Sequence, residues 1–382
     1  MSMRTPSLHP KRLAGFSLIE LLVGIAISMI GLLVMYKTVT LWDARTRATI
    51  AGGDAQVAGT LAAFEIERDI KLAGMGFGKA SAADMGCTVN GTDGATATAL
   101  SFALTPVQII DNDAAGLPDE LRVLYGSSPF FPNLAKFTLS TGSTKKMVNR
   151  NGFKTGDLAV VTDDSGGAAG SSNCALVQIT DDTVADNLTL KHEAASYANY
   201  YASAASDARY NAPPAAVAFT GGNMYSLGPD PRRNVWTVVG DSLHSVDTLH
   251  GTTADYAEGV ADMKVFYGYD YNGDKQIVDT EWTKTPPANA DWRNLLAVRV
   301  SLLLRSRNFE KPATGPDAQI FVAPNPQYHA ASNAVANFAM HDLNGTTDTN
   351  VVNSPYNWRY YRYRVYEKVI PLRNMLWGTV AP

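Results

Sequence analysis

Within DYNGDKQIVDTE, Asp270, Asn272 and Asp274 stand at positions one, three and five and Glu281 at position twelve. Hard oxygen ligands at that spacing are what a loop needs to wrap a calcium ion. Lys275 breaks the pattern at position six, where such loops use glycine for a sharp turn and where a cation opposes the metal. The competing expectation for the same residues is a β-hairpin, because Asn272-Gly273 between KVFYGY and KQIV is a type I′ turn signal. Calcium is the one cofactor the sequence suggests. A second constellation pairs GDSL at 240–243 with DTLH at 247–250, a serine nucleophile block and an Asp/His block. Hydrolases with these blocks carry them at opposite ends of an α/β domain, whereas here they are adjacent in a β-rich stretch. Ser242 is therefore expected to be a turn residue, and the chain is not expected to be an enzyme. Arginine and tyrosine interleave in NWRYYRYRVYEK at 357–368, the ingredients of a single-stranded nucleic-acid surface. The same alternation puts Tyr361, Tyr363 and Val365 on one face of an amphipathic strand and Arg362 and Arg364 on the other. A net charge of −4 supplies no global basic field, so the strand is preferred and nucleic acid is not an expected partner. The six histidines show no close pair with metal spacing.

The remaining candidate is one acid in an apolar run. Residues 16–36 are long enough to span roughly 30 Å of hydrocarbon as a helix, and Glu20 is the acid inside them. An ionised carboxyl costs about 3 kcal/mol at the bilayer centre and less near the interface, so Glu20 needs a partner. In a cleaved secretory signal the small-residue cut site follows the apolar run, whereas Ala14-Gly15 precedes this one, so the run is expected to be retained. Arg4, Lys11 and Arg12 ahead of it favour a cytoplasmic N-terminus and an exported remainder, although Lys37, Arg45 and Arg47 lie on the far side. A cut after Gly15 would place a new amine at Phe16, one helical turn from Glu20. Paired instead with a neighbour's amine, Glu20 would fix the stagger between packed helices. Gly24 and Ser28 form a small-xxx-small face that permits close helix approach.

GFSLIE at residues 15–20 resembles the class III signal of type IV prepilins and type II secretion pseudopilins. That resemblance implies removal of residues 1–15 by a prepilin peptidase, N-methylation of Phe16, and pairing of Glu20 with a neighbouring subunit's N-terminus. The succession ERDIKLAGMGFG, Cys87, ELRVLYG, GDLAVVTD, Cys174 with ALVQIT, VADMKVFYGYDYNGD, LLAVRVSLLLRS and KVIPLRN resembles the PilW family of minor pilins. The implied role is a low-abundance subunit that helps to initiate and cap the pilus with other minor pilins, the major pilin and a PilY-type tip protein. The implied location is the inner membrane, single-pass, and the pilus or its tip after assembly. A J-type pseudopilin of type II secretion is the alternative within the class; a membrane-anchored surface enzyme or binding protein is the alternative outside it.

The elements that must position these residues follow from periodicity. Ile50, Val57, Leu61, Phe64 and Leu72 fall on one helical stripe, with Glu65, Glu67, Arg68 and Asp69 as polar surface. Gly52-Gly53 is expected to kink or melt this helix, and GMGFG at 74–78 to stop it. Ten later apolar runs read as strands: ELRVLYG, DLAVVTD, CALVQIT, NLTLKH, AVAFT, NMYSLG, VWTVV, DMKVFYGYD, LAVRVSLLLRS and YRYRVYEKVIPL. Tracts 79–99, 164–173, 193–216 and 330–350 read as loops. The expected fold is α+β: a leader at 1–15, a transmembrane and stalk helix at 16–78, and a β-rich head at 79–382 with long loops. Cys87 and Cys174, the two cysteines, would lie outside the cytoplasm and are expected to form a disulfide.

Overall fold

The computed structural model describes residues 17–129, 134–150, 152–164, 168–183, 186–211, 218–219, 221–285, 291–309, 325–343, 354 and 356–378. Helix α1, Leu18–Leu72, is helical throughout, Gly52-Gly53 included. The glycine pair therefore does not melt the helix; glycine costs only about 1 kcal/mol per site in a helix interior, which the packing of later turns offsets. The chain's division into two compact units, Met1–Ala51 and Gly52–Pro382, falls at that pair. Gly74 at φ 78 and Gly76 at φ 93 follow the last helical turn and take the left-handed conformation that ends it, as GMGFG suggested.

The second unit holds the β structure. An eight-stranded sheet runs in the order Thr98–Ala103, Thr88–Asp93, Cys174–Gln178, Leu158–Asp163, Gly222–Gly228, Ala135–Ser140, Thr144–Met147, Thr189–Lys191. Its neighbours are antiparallel except Thr88–Asp93 beside Cys174–Gln178. A five-stranded antiparallel sheet follows as Thr252–Glu258, Ser242–Asp247, Arg232–Val239, Glu120–Tyr125, Val107–Ile110. A four-stranded antiparallel sheet orders Trp282–Thr283, Val260–Tyr269, Leu295–Arg305, Tyr363–Pro371. Alternation decides which face each residue serves. Val298, Val300, Leu302 and Leu304 enter the main core with α1, whereas Ala297 and Leu303 turn to a second cluster with Phe266, Tyr328 and Phe338. Leu158 and Val160 likewise face the main core while Ala159 and Val161 face a third cluster around Phe137.

Three expected loop tracts are corrected here. The tract 79–99 is not all loop, since Thr88–Asp93 and the start of Thr98–Ala103 form a hairpin; TVNGTD is too polar and short to announce itself as a strand. Tract 193–216 holds the hairpin Ser196–Ala198 with Ala205–Asp207, and tract 330–350 holds Val335–Asn337. The apolar runs expected as strands lie on strands, except AVAFT, which falls mostly outside the described residues.

The buried face of α1 is also not the one expected. Val57, Leu61, Phe64 and Leu72 are exposed, while Ala62, Ala63, Ile66, Asp69, Ile70 and Ala73 are buried. The helix approaches the sheets too closely for large side chains: a Cβ on Gly59 would lie 2.1 Å from Leu304 Cδ1. Gly59, Ala62 and Ala63 therefore occupy the tightest part of the contact, Ile66 and Ile70 fill the core further along, and Val57, Leu61, Phe64 and Leu72 are left on another face.

Candidate assembly helix and its anchorage in the head

Ser17 and Glu20 form a capping box at the start of α1. Ser17 N donates to Glu20 Oε2 at 3.0 Å, and Glu20 N donates to Ser17 Oγ at 3.2 Å. The S-x-x-E spacing carries this signal in the sequence, where it went unread. Glu20 Oε1 has no partner among the described residues. Leu18–Asp43 is long and apolar enough to cross a membrane, and its large apolar side chains from Leu18 to Trp42 are between 50% and 78% exposed. Ser28 Oγ turns back to Gly24 O at 2.7 Å, and nothing lies within 4 Å of a Cβ placed on Gly24 or Gly31. The small-residue face is thus open and its hydroxyl satisfied, as a helix–helix contact in lipid requires. Gly15 and Phe16 lie outside the described residues.

At its other end α1 is locked into the head. Asp69 is fully buried and accepts from Tyr125 Oη at 3.0 Å, Asn234 Nδ2 at 2.7 Å and Trp236 Nε1 at 3.0 Å. Burial pushes its carboxyl up, against the pull of those three donors. Glu67 bridges Lys71 and Lys368, each at 2.5 Å, and the Lys368 contact holds its carboxyl below the ordinary value. Asn374, in the short helix α2 (Arg373–Gly378), donates Nδ2 to the last carbonyls of α1, Leu72 O and Ala73 O, both at 3.0 Å. No local pattern marks the Asp69 site, because its donors come from strands far along the chain.

Cys87 and Cys174 are bonded, buried, with Cα atoms 6.1 Å apart. Cys87 immediately precedes Thr88–Asp93 and Cys174 opens Cys174–Gln178, two strands that pair in parallel with Val89 registered with Cys174.

The calcium-spaced residues do share one loop. Asp270 Oδ1 accepts from Gly273 N at 2.6 Å and Oδ2 from Lys275 N at 2.9 Å. Asn272 Oδ1 accepts from Asp274 N at 2.9 Å, and Asp274 Oδ1 from Gln276 N at 2.8 Å. Glu281 reaches across, Oε1 accepting from Tyr271 N at 3.1 Å and Oε2 from Val278 N at 3.0 Å. The loop is closed by its own donors, and Lys275 takes φ 63, the conformation glycine holds at that position. The hairpin expectation fails, because KQIV forms no strand and Val260–Tyr269 pairs with Trp282–Thr283 instead. Buried Asp270 and Glu281 draw the loop's N–H groups inward, away from a strand ladder.

Gly240 at φ 57 and Asp241 at φ 60 make the two-residue turn between Arg232–Val239 and Ser242–Asp247. Ser242 therefore opens a strand rather than occupying the turn. Five strand steps, about 17 Å, separate it from Asp247, whose Oδ2 is held by His250 Nδ1 at 2.6 Å and Arg232 at 3.0 Å. In Tyr363–Pro371 the amphipathic expectation matches: Tyr363 and Val365 pack on the second core cluster, Tyr361 just ahead is buried, and Arg362 and Arg364 are exposed. A further acidic group, Asp111, Asp113 and Asp119, is filled by the ammonium of Lys284, 3.0 Å from Asp111, 2.8 Å from Asp119 and also paired with Asp113.

An exposed, acid-bearing apolar helix running into a disulfide-linked β head defines a membrane-anchored, single-pass, pilin-like protein. Residues 10–36 match the prokaryotic N-terminal methylation motif, and residues 241–374 match type IV pilus-assembly protein W. Over those residues the chain is similar to the PilW family, and it is a pilus-associated, pilin-like protein. Neither a curated protein nor a solved structure matches it.

Proposed function

We propose that this chain is a non-enzymatic minor pilin that helps to initiate and cap type IV pilus assembly. A leader at 1–15 is removed between Gly15 and Phe16 by prepilin peptidase, Phe16 is N-methylated, the apolar start of the transmembrane and stalk segment 16–78 is stored in the inner membrane, and the head at 79–382 is exported. Glu20 then pairs with the N-terminus of a neighbouring minor or major pilin, and a PilY-type protein meets the tip. The observation that carries this reading is the uncovered apolar run 18–42 with Glu20 as its acid, whose Oε1 has no partner among the described residues. The exposed stripe Val57, Leu61 and Phe64 supports it by offering apolar surface beyond the membrane run. The match to type IV pilus-assembly protein W supports a pilus subunit over a J-type pseudopilin. Glu20→Ala is expected to remove the protein from sheared filaments while leaving its membrane level unchanged, read by immunoblot of both fractions. Undiminished filament incorporation would overturn the charge-pairing role.

Calcium binding by Asp270, Asn272, Asp274 and Glu281 is proposed as a weak site, of the millimolar class found in extracellular modules. Titration of the protein with millimolar calcium should release or absorb heat and raise the melting temperature. Neither change in the calorimeter would remove the metal.

A further inference from the structure

Asp119 and Lys284 lie 165 residues apart in the chain and meet inside the head. Asp119 stands just ahead of Glu120–Tyr125 in the five-stranded sheet, and Lys284 just past Trp282–Thr283 at the edge of the four-stranded one. Lys284 Nζ touches both carboxylate oxygens of Asp119, 2.9 Å from Oδ1 and 2.8 Å from Oδ2. That two-point contact places Nζ roughly 3.2 Å from Cγ, within the span of a near-attack pair. Water is largely kept out: the Asp119 side chain is fully buried, and the Lys284 ammonium lies 5.3 Å from the Phe266 ring centre with its side chain 9% exposed. Asp119 is also fixed in place, its N–H donating to Met263 O at 2.9 Å and its Oδ2 accepting from Val265 N at 2.8 Å. Asp111, at 3.0 Å, and Asp113 close around the same ammonium. Asp113 is shared with Lys264, 2.9 Å away, whereas Asp111 is open to solvent on one side.

We propose that Lys284 and Asp119 condense into an intramolecular amide that ties the two sheets together covalently. This goes beyond the assembly reading and does not rest on it. The ion pair is the starting state, and its charges must be removed before Nζ can attack. Burial pushes the Asp119 carboxyl up, which readies it to take the proton. Although burial lowers Lys284, its hydrogen bonds to Asp113 and Asp119 hold it above its ordinary value, so this proton transfer sets the pace. The freed amine then bonds to Cγ and the Cγ–Oδ1 bond breaks. Oδ1 leaves as water with two of the three ammonium protons, relayed through Asp111, while Oδ2 stays on the Val265 N–H as the amide oxygen. The opposite charges cancel and one water is released, so no oxidant or second substrate enters. Holding amine and acid in contact at a dry site supplies the effective concentration that condensation needs.

The test uses the full chain recovered from cell membranes, then denatured, reduced and digested for peptide mass spectrometry. The expected product is a branched peptide joining the segments around Asp119 and Lys284, lighter by one water than its two arms together. Lys284→Arg keeps a cation among the carboxylates but offers no amine to acylate, and should give only linear peptides. On a reducing denaturing gel the linked wild type retains a closed loop and should run ahead of Lys284→Arg. The wild-type measurement stands without any variant, so a misfolded Lys284→Arg would not blur it. Wild-type chain that yields Asp119 and Lys284 in linear peptides only, or a branched peptide that persists in Lys284→Arg, would overturn the proposal.

Discussion

Asp69 ties helix to sheet through three donors, so removing it tests the joint. In Asp69→Ala, Trp236 Nε1 loses its acceptor while staying buried, and Asn234 Nδ2 keeps only Tyr125 Oη, at 3.3 Å. The expected loss is about 3 kcal/mol, measured by denaturant unfolding of the full chain. A loss under about 1 kcal/mol would contradict the anchoring role. The pH dependence has a definite sign. Because the folded carboxyl titrates above its unfolded value, its contribution is fully present below about pH 4 and declines as pH rises through the folded value. Asp69→Asn should remove that decline. Glu20 was legible in the sequence and Asp69 was not, for one physical reason. The length of an apolar run announces a bilayer in advance, whereas the surroundings of Asp69 are assembled by Tyr125, Asn234 and Trp236, which no local pattern connects to FEIERDIKL.

On the scale of elements, α1 carries two apolar faces and the head takes the smaller one. Gly59 is where the approach is tightest, against Leu304 in Leu295–Arg305. Gly59→Leu should cost about 1–3 kcal/mol by overpacking, and Leu304→Ala in the same chain should recover part of it. Melting temperature reads both effects; an unchanged value in Gly59→Leu would contradict the close contact. The long strands were readable because LAVRVSLLLRS and DMKVFYGYD are mostly apolar with single polar interruptions. The face of α1 was misread because side-chain size was taken as the mark of burial, whereas close helix–sheet packing favours alanine and glycine. Arg299 shows the converse: a buried cation in a core strand, stacked 4.4 Å from the Trp282 ring centre and donating to Asn333 at 2.7 Å.

For the molecule as a whole, the family match begins at the Asp241 turn and ends at Asn374, the residue that caps α1. It covers the four-stranded sheet and two strands of the five-stranded one, while the eight-stranded sheet lies entirely before residue 241. The matched part thus includes Lys368 and Asn374, which grip the helix, and the unmatched part carries the disulfide. A bridge across 87 residues stabilises by about 4–5 kcal/mol on loop-closure entropy, and such bonds persist outside the cytoplasm. On the function proposed above, this head is exported on a helix whose new N-terminus becomes an assembly signal. Mass spectrometry of the N-terminal peptide, from protein recovered in sheared filaments, tests it most directly. The expected peptide begins at Phe16 with one added methyl group on its amine; a peptide that still contains residues before Phe16 would contradict it.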